Sequence, residues 1–157
     1  MELPVLPADG RQSVAASAIC RGARRLLLQH GFVAVPELTL PNGRRADLAA
    51  LGPKGEVWIV EIKSSVLDFQ VDHKWPDYHL HCDRLFFAVS PEFPLDLLPD
   101  DTGHLVADCY GGALVRDAPE HRLAALARKG MTFLIARAAA MRLHQASDPE
   151  GRVPDFL

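Results

Sequence analysis

The chain holds only three cysteines in 157 residues, Cys20, Cys82 and Cys109, odd in number and widely spaced. That argues against a disulfide framework and reads as reduced thiols of a cytoplasmic protein, with Cys20 and Cys82 as small buried residues. No apolar run reaches the roughly 18 residues of a membrane-crossing helix. The opening MELPVLPADGRQ lacks a basic region followed by an apolar stretch, so a secretory leader is not expected. Glycine-rich phosphate loops, a Ser-His-Asp order and a dinucleotide fingerprint are missing, and Gly111-Gly112 reads as a turn. A charge excess is missing too: the formal net charge of −3 carries no basic footprint for nucleic acid. Local basic groups do exist at Arg21, Arg24, Arg25, Arg44, Arg45, Lys63, Lys74 and Arg84, although any one of them taken singly is ordinary solvated surface.

What is present is globular: 48% hydrophobic and 24% charged residues, without repeats or low-complexity segments. The length fits one domain, 1–157. Residues 1–11 read as an extended lead-in. A helix follows over 12–30, capped by Ser13 and closed by Gly31, with Gly22 marking a close backbone approach. Strands are expected over 32–40, 44–51 and 56–63, separated by Pro41-Asn42-Gly43 and by Gly-Pro-Lys-Gly. Val57-Trp58-Ile59-Val60 has no polar interruption, as in a central strand covered on both faces. A serine-capped helix over 66–82 is expected to break near Trp75-Pro76. Then come a strand over 85–89, a loop over 91–101 with one helical turn, strands over 104–108 and 113–116, and a helical region from Pro119 to about Gln145, interrupted near Gly130. The order predicts an α/β fold: a β-meander, a helical crossover to a parallel strand, and a mixed sheet flanked by helices.

The chemistry concentrates on Asp47, Glu61 and Lys63. If the turn is Pro53 to Gly55, Gly52 pairs with Glu56, and paired residue numbers sum to 108. Asp47 and Glu61 then stand opposite each other, with Cβ atoms about 4.5–5.5 Å apart. Lys63 shares the face of Glu61, and Ile62 points the other way. A loop one residue shorter destroys the arrangement. Two carboxylates suit a hard divalent cation, and a nearby ammonium suits a developing negative charge. The bland alternative is a solvated cross-strand charge cluster worth under about 1 kcal/mol.

Helix, meander with Asp on the second strand and Glu-x-Lys on the third, then helix and strand: this layout resembles the PD-(D/E)XK nuclease superfamily over roughly 12–90. RRADLAAL, VWIVEIKSS, DFQVDHKWPDYHLHCDRLFFAVS and the Ala/Arg-rich C-terminal helix resemble, within it, the MmcB-type DNA repair family of bacteria. The resemblance implies a restriction-endonuclease-like core (α-β-β-β-α-β) with a C-terminal elaboration over about 91–148. It implies Asp47, Glu61 and Lys63 as catalytic residues, with Mg²⁺ or Mn²⁺ on Asp47, Glu61 and the Ile62 carbonyl. The implied activity is metal-dependent phosphodiester hydrolysis in DNA repair, the cation acidifying a water and polarising the phosphate. The alternative is a catalytically inactive nuclease fold that binds DNA or a repair partner. Two departures stand out. Ala46 replaces the motif's proline, and the first helix has no glutamate, for which Glu37 is the candidate substitute. Lys74 and Tyr78 weakly echo a Gln-x-x-x-Tyr motif.

His73, His79, His81 and Cys82, beside Asp72, Asp77 and Asp83, form a competing cluster. Their spacing fits no zinc pattern, so zinc is not expected. The segment instead offers candidate substrate contacts in His73, Lys74, Trp75 and Tyr78, alongside Arg45 and Ser64. The alternative is that Trp75, Tyr78 and Leu80 pack as core while the histidines lie on the surface. A third functional class, an RNA-processing or zinc-binding module, would rest on this cluster.

Overall fold

The structure is a computed structural model that describes residues 13–154; the expected lead-in over 1–11 lies outside them. Helix α1 spans Val14–Gln29, and Ser13 caps it by accepting the Ala16 amide. Gly31, at φ +80°, ends the helix as expected. Strands β1 (Val33–Thr39), β2 (Arg45–Leu51) and β3 (Val57–Lys63) form the antiparallel meander. Helix α2 (Val66–Val71) crosses to β4 (Arg84–Val89), which runs parallel to β3, and β5 (Gly103–Ala107) continues the parallel run. β6 (Gly112–Arg116) returns antiparallel at the far edge, so the six strands lie in sequence order. Helix α3 covers Ala125–Ser147.

The central strands are buried on both faces, as their uninterrupted apolar runs require. On one face Ile19, Ala23, Leu26 and Leu27 of α1 pack on Leu48, Ala50, Val60, Ile62 and Phe86. On the other, Met131 and Ile135 of α3 pack with Tyr78 and Cys82 on Ala49, Val57, Ile59 and Leu85. Gly22 is the closest approach: a Cβ there would lie 1.9 Å from the Asp108 carbonyl oxygen.

Three elements differ from expectation. The segment over 66–82 is not one broken α-helix: α2 stops at Val71, and Trp75–His81 is a 3₁₀ helix with Pro76 in its first turn. Asp72 ends α2 by accepting the Lys74 amide, a local turn that competes with helix continuation. Pro119 opens no helix, because the backbone before α3 is spent on Asp83: Leu123 N–H donates to its carboxylate and His121 N–H to its carbonyl. Finally, α3 runs unbroken through Gly130, whose missing side chain would meet only open space.

Candidate active site

The β2–β3 pairs Leu48↔Val60, Ala49↔Ile59, Ala50↔Trp58 and Leu51↔Val57 follow the register that sums to 108. It is set by the turn, where Gly52 N–H donates to the Glu56 carbonyl and Gly55 takes φ +85°. One step further, at Asp47 and Glu61, side chains replace the ladder. Asp47 N–H donates to Glu61 Oε1 at 3.0 Å, and Ile62 N–H donates to Asp47 Oδ2 at 2.8 Å.

The reason lies across β2. Glu37 of β1, opposite Asp47, has φ +51°, while the pairs on either side, Pro36↔Leu48 and Leu38↔Ala46, keep their register. Val35 and Leu38 pack in the same core cluster, and so do Ala46 and Ala49. Strict alternation would put residues three apart on opposite faces. Both strands therefore slip by one side chain at this level, which turns the Asp47 carboxylate toward the β3 backbone. Arg142 of α3 donates to the Pro36 and Glu37 carbonyls beneath the kink. A left-handed glutamate is a costly conformation that its surroundings must hold.

Asp47 and Glu61 open into a cleft of about 510 Å³ between the start of α1 and the α2–3₁₀ segment. Lys63 also lines it, 2.6 Å from Asp72 Oδ2. Burial pushes the Glu61 carboxyl well above the usual carboxylate range, and the Asp47 charge adds to the effect. Burial raises Asp47 as well, against its hydrogen bond from Ile62 and the Lys63 charge. The side-chain contact with Glu61 also acts downward on Asp47, without overcoming the effect of burial. Burial acts upward on Asp72 too, but the Lys63 hydrogen bond and the Lys74 amide outweigh it and bring that carboxyl below its ordinary value.

This donor set fits a hard divalent cation: the buried Glu61 carboxylate and the part-buried Asp47 carboxylate converge, and a cation between them would offset their mutual repulsion. Among the described residues no group of three or more His, Cys, Asp or Glu side chains converges on one ion position. Asp47 and Glu61 would thus be the side-chain ligands among the described residues, the Ile62 carbonyl would be the backbone one, and water or substrate would complete the shell.

Of the candidate substrate contacts, Arg45, Ser64, Lys74 and Tyr78 line the cleft. Tyr78 is buried, and its hydroxyl donates to the Arg45 carbonyl. Ser64 sits beside the cap of α2, where Ser65 Oγ accepts the Asp68 amide and Asp68 reaches back to Ser64 N–H. His73 is exposed and does not line the cleft. Trp75 does not reach it either: the ring packs edge-on against Phe87 and against the imidazole of His79. Its indole is a partly buried side chain packed against the core, because the 3₁₀ helix turns it onto β4. The remaining members of the His/Cys cluster scatter. Cys82 is buried with its thiol donating to the Tyr78 carbonyl and pushed up to about 12 by burial, and His79 faces His121 and Asp101.

Sequence reasoning missed Asp68 and Asp72 as cleft residues, and missed Ser13 and Ala16 of α1. Asp72 carried no periodic signal. It reaches Lys63 only because α2 is so short that its end folds back over the strand. Asp83 belongs to a structural network instead, accepting from the Val57 and Leu123 amides and from both arms of the Arg128 guanidinium.

A family model described as "DNA repair protein MmcB-like" matches residues 4–150. A solved structure from Silicibacter pomeroyi, titled as a protein of unknown function, is similar at 46% sequence identity and a TM-score of 0.87, covering 92% of this chain and 99% of that one. No curated protein matches. No helix among the described residues is long and apolar enough to cross a membrane.

Proposed function

The chain belongs to the MmcB-like DNA repair protein family, and from that premise we propose that it is a Mg²⁺- or Mn²⁺-dependent deoxyribonuclease whose active site is the Asp47–Glu61–Lys63 cleft. The observation that carries this reading is the charge of the cleft. Five carboxylates (Glu37, Asp47, Glu61, Asp68 and Asp72) face three cations (Arg45, Lys63 and Lys74). Such a cleft repels a phosphodiester until a divalent cation sits in it. Bound between Asp47 and Glu61, that cation would polarise the scissile phosphate and lower the pKa of a water.

The protein's own groups do the rest. The Asp47 and Glu61 carboxylates are oriented by the Ile62 and Asp47 amides, so neither must reorganise to meet a cation. Lys63 Nζ leaves Asp72 for a non-bridging phosphate oxygen and stabilises the charge that builds there. Arg45, Lys74 and Ser64 contact neighbouring phosphates, which positions the strand without reading its sequence.

The test is cleavage of labelled single- and double-stranded DNA with Mg²⁺, Mn²⁺ or chelator. Asp47→Ala and Lys63→Ala are expected to fold and to lose metal-dependent cleavage. Undiminished activity in both would overturn the assignment.

One observation favours a second reading, a catalytically silent fold that binds DNA or a repair partner. Lys63 is already paired, and among the described residues no third metal-binding side chain joins Asp47 and Glu61. Calorimetric titration with Mn²⁺ separates the two, since the silent fold gives no binding heat that depends on Asp47.

A further inference from the structure

Helix α3 is apolar on two sides. Its inner side, with Met131, Leu134, Ile135 and Ala138, packs on the sheet. Its outer side exposes Leu126, Phe133 and Leu143, of which Phe133 keeps 62% of its surface in solvent. Positions 126, 129, 133, 136, 140 and 143 recur at the three- and four-residue steps that align one helix face. The chain has no need of these side chains for its own core.

The outer side also carries charge of one sign. The 23 residues of α3 contain no Asp or Glu, but do contain Arg128, Lys129, Arg137 and Arg142, in a chain whose formal net charge is −3. Arg128 and Arg142 are spent inward, on Asp83 and on the Glu37 kink. Arg122, Lys129 and Arg137 have no ion-pair partner among the described residues. The Arg137 guanidinium lies 5.8 Å above the Phe133 ring, which fixes a cation beside the largest exposed apolar group.

These groups border a groove. One part, of about 670 Å³, is walled by Arg122, Leu123, Lys129, Phe133 and Ala136. A second, of about 400 Å³, extends from Arg137 past Ala140 and Met141 to Arg152. No carboxylate lines either part.

We propose that the outer face of α3 is a docking groove for an acidic, amphipathic helical segment of a protein partner. Apolar side chains of the segment seat against Phe133 and the alanines of α3, and its carboxylates pair with Arg122, Lys129 and Arg137. The charge pattern selects this occupant. A second copy docked through the same face about a twofold axis would set these cations against their own symmetry mates. A DNA interface is polar and positively charged throughout, which does not call for an exposed Leu-Phe-Leu ridge. An anionic membrane surface would not fill a concave groove. The proposal is independent of the cleft chemistry, because α3's outer side takes no part in that cleft.

The experiment is fluorescence polarisation with a labelled synthetic helix carrying Leu and Phe at i, i+4 and i+7 and Glu elsewhere, against the same peptide with Lys for Glu. The acidic peptide is expected to bind at a Kd on the order of 10 μM, and the basic one not measurably. Phe133→Ala and Arg137→Glu each weaken binding by about tenfold, whereas Arg21→Glu on α1, across the sheet, leaves it unchanged. Both groove positions are exposed, so unchanged unfolding midpoints verify that the variants remain folded. Failure of the acidic peptide to bind, or equal binding of both peptides, overturns the proposal. So does a dimer by sedimentation velocity that Phe133→Glu abolishes, or co-sedimentation with phosphatidylglycerol vesicles, or duplex DNA binding, that depends on the same residues.

Discussion

Lys63 Nζ and Asp72 Oδ2 lie 2.6 Å apart, and both side chains are largely buried. The pair links the end of β3 to the end of α2 and holds the one lysine that the proposed reaction needs away from its phosphate. A cation on Asp47 and Glu61 and an incoming phosphate would together compete with Asp72 for that ammonium.

Asp72→Asn is expected to cost about 2 kcal/mol at neutral pH, below the roughly 3–5 kcal/mol of a fully buried pair broken on one side. The pH dependence follows from the depressed carboxyl. Its contribution is present above the ordinary Asp value and is lost as pH falls through the folded value. Urea unfolding at neutral and acidic pH checks this: the gap between parent and variant should close in acid. A constant gap would mean that Asp72 acts by packing alone.

Asp83 is a stronger structural anchor. It accepts two backbone amides and a bidentate Arg128. Asp83→Ala strands those donors in the core and should cost about 3–5 kcal/mol. Arg128→Lys keeps the charge but loses the fork, so its cost should be smaller. Both are read from chemical unfolding midpoints, and a neutral Asp83→Ala would refute the network.

Two glycines in helices should respond with opposite sign. Gly22→Ala gains about 1 kcal/mol of helix propensity but drives a methyl to 1.9 Å from the Asp108 carbonyl oxygen, so the loop before β6 must move. A net loss of at least about 2 kcal/mol is expected. Gly130→Ala meets nothing and should stabilise by about 0.5–1 kcal/mol. Thermal unfolding of the two variants decides both signs.

These contrasts show which features were legible in the sequence. The antiparallel meander, the parallel crossover to β4 and the β2–β3 register were, because turn chemistry and alternation are local signals, and Gly52 with Glu56 fixes the count. Gly22 was legible as an exception to helix propensity. The kink at Glu37 was not, since a non-glycine residue at positive φ is held by distant groups, here Arg142 from the last helix. Asp72 was missed, and Trp75 left open between cleft and core, for one reason: Trp75-Pro76 announces a break in 66–82, but not that α2 ends at Val71 and yields to a 3₁₀ helix, which changes the angular position of every later side chain.

The Asp47–Glu61 pair yields the prediction that bears most directly on function. Burial and mutual repulsion raise the Glu61 carboxyl well above its ordinary value. A carboxyl raised on folding contributes stability that is complete below its unfolded value and is lost as pH climbs through the folded one. Glu61→Gln keeps an oxygen for the Asp47 amide and cannot ionise, so it should match the parent in acid and exceed it by on the order of 1 kcal/mol at alkaline pH. A divalent cation reverses the order. It binds the ionised pair and so gains affinity as pH rises. At about 100 times its Kd, Mg²⁺ should stabilise the parent by about 2.7 kcal/mol and leave Glu61→Gln nearly unmoved. Thermal unfolding across pH, with and without Mg²⁺, measures all four cases. Equal Mg²⁺ stabilisation of both proteins would place the cation elsewhere, and none in either would leave the two carboxyls as a structural pair.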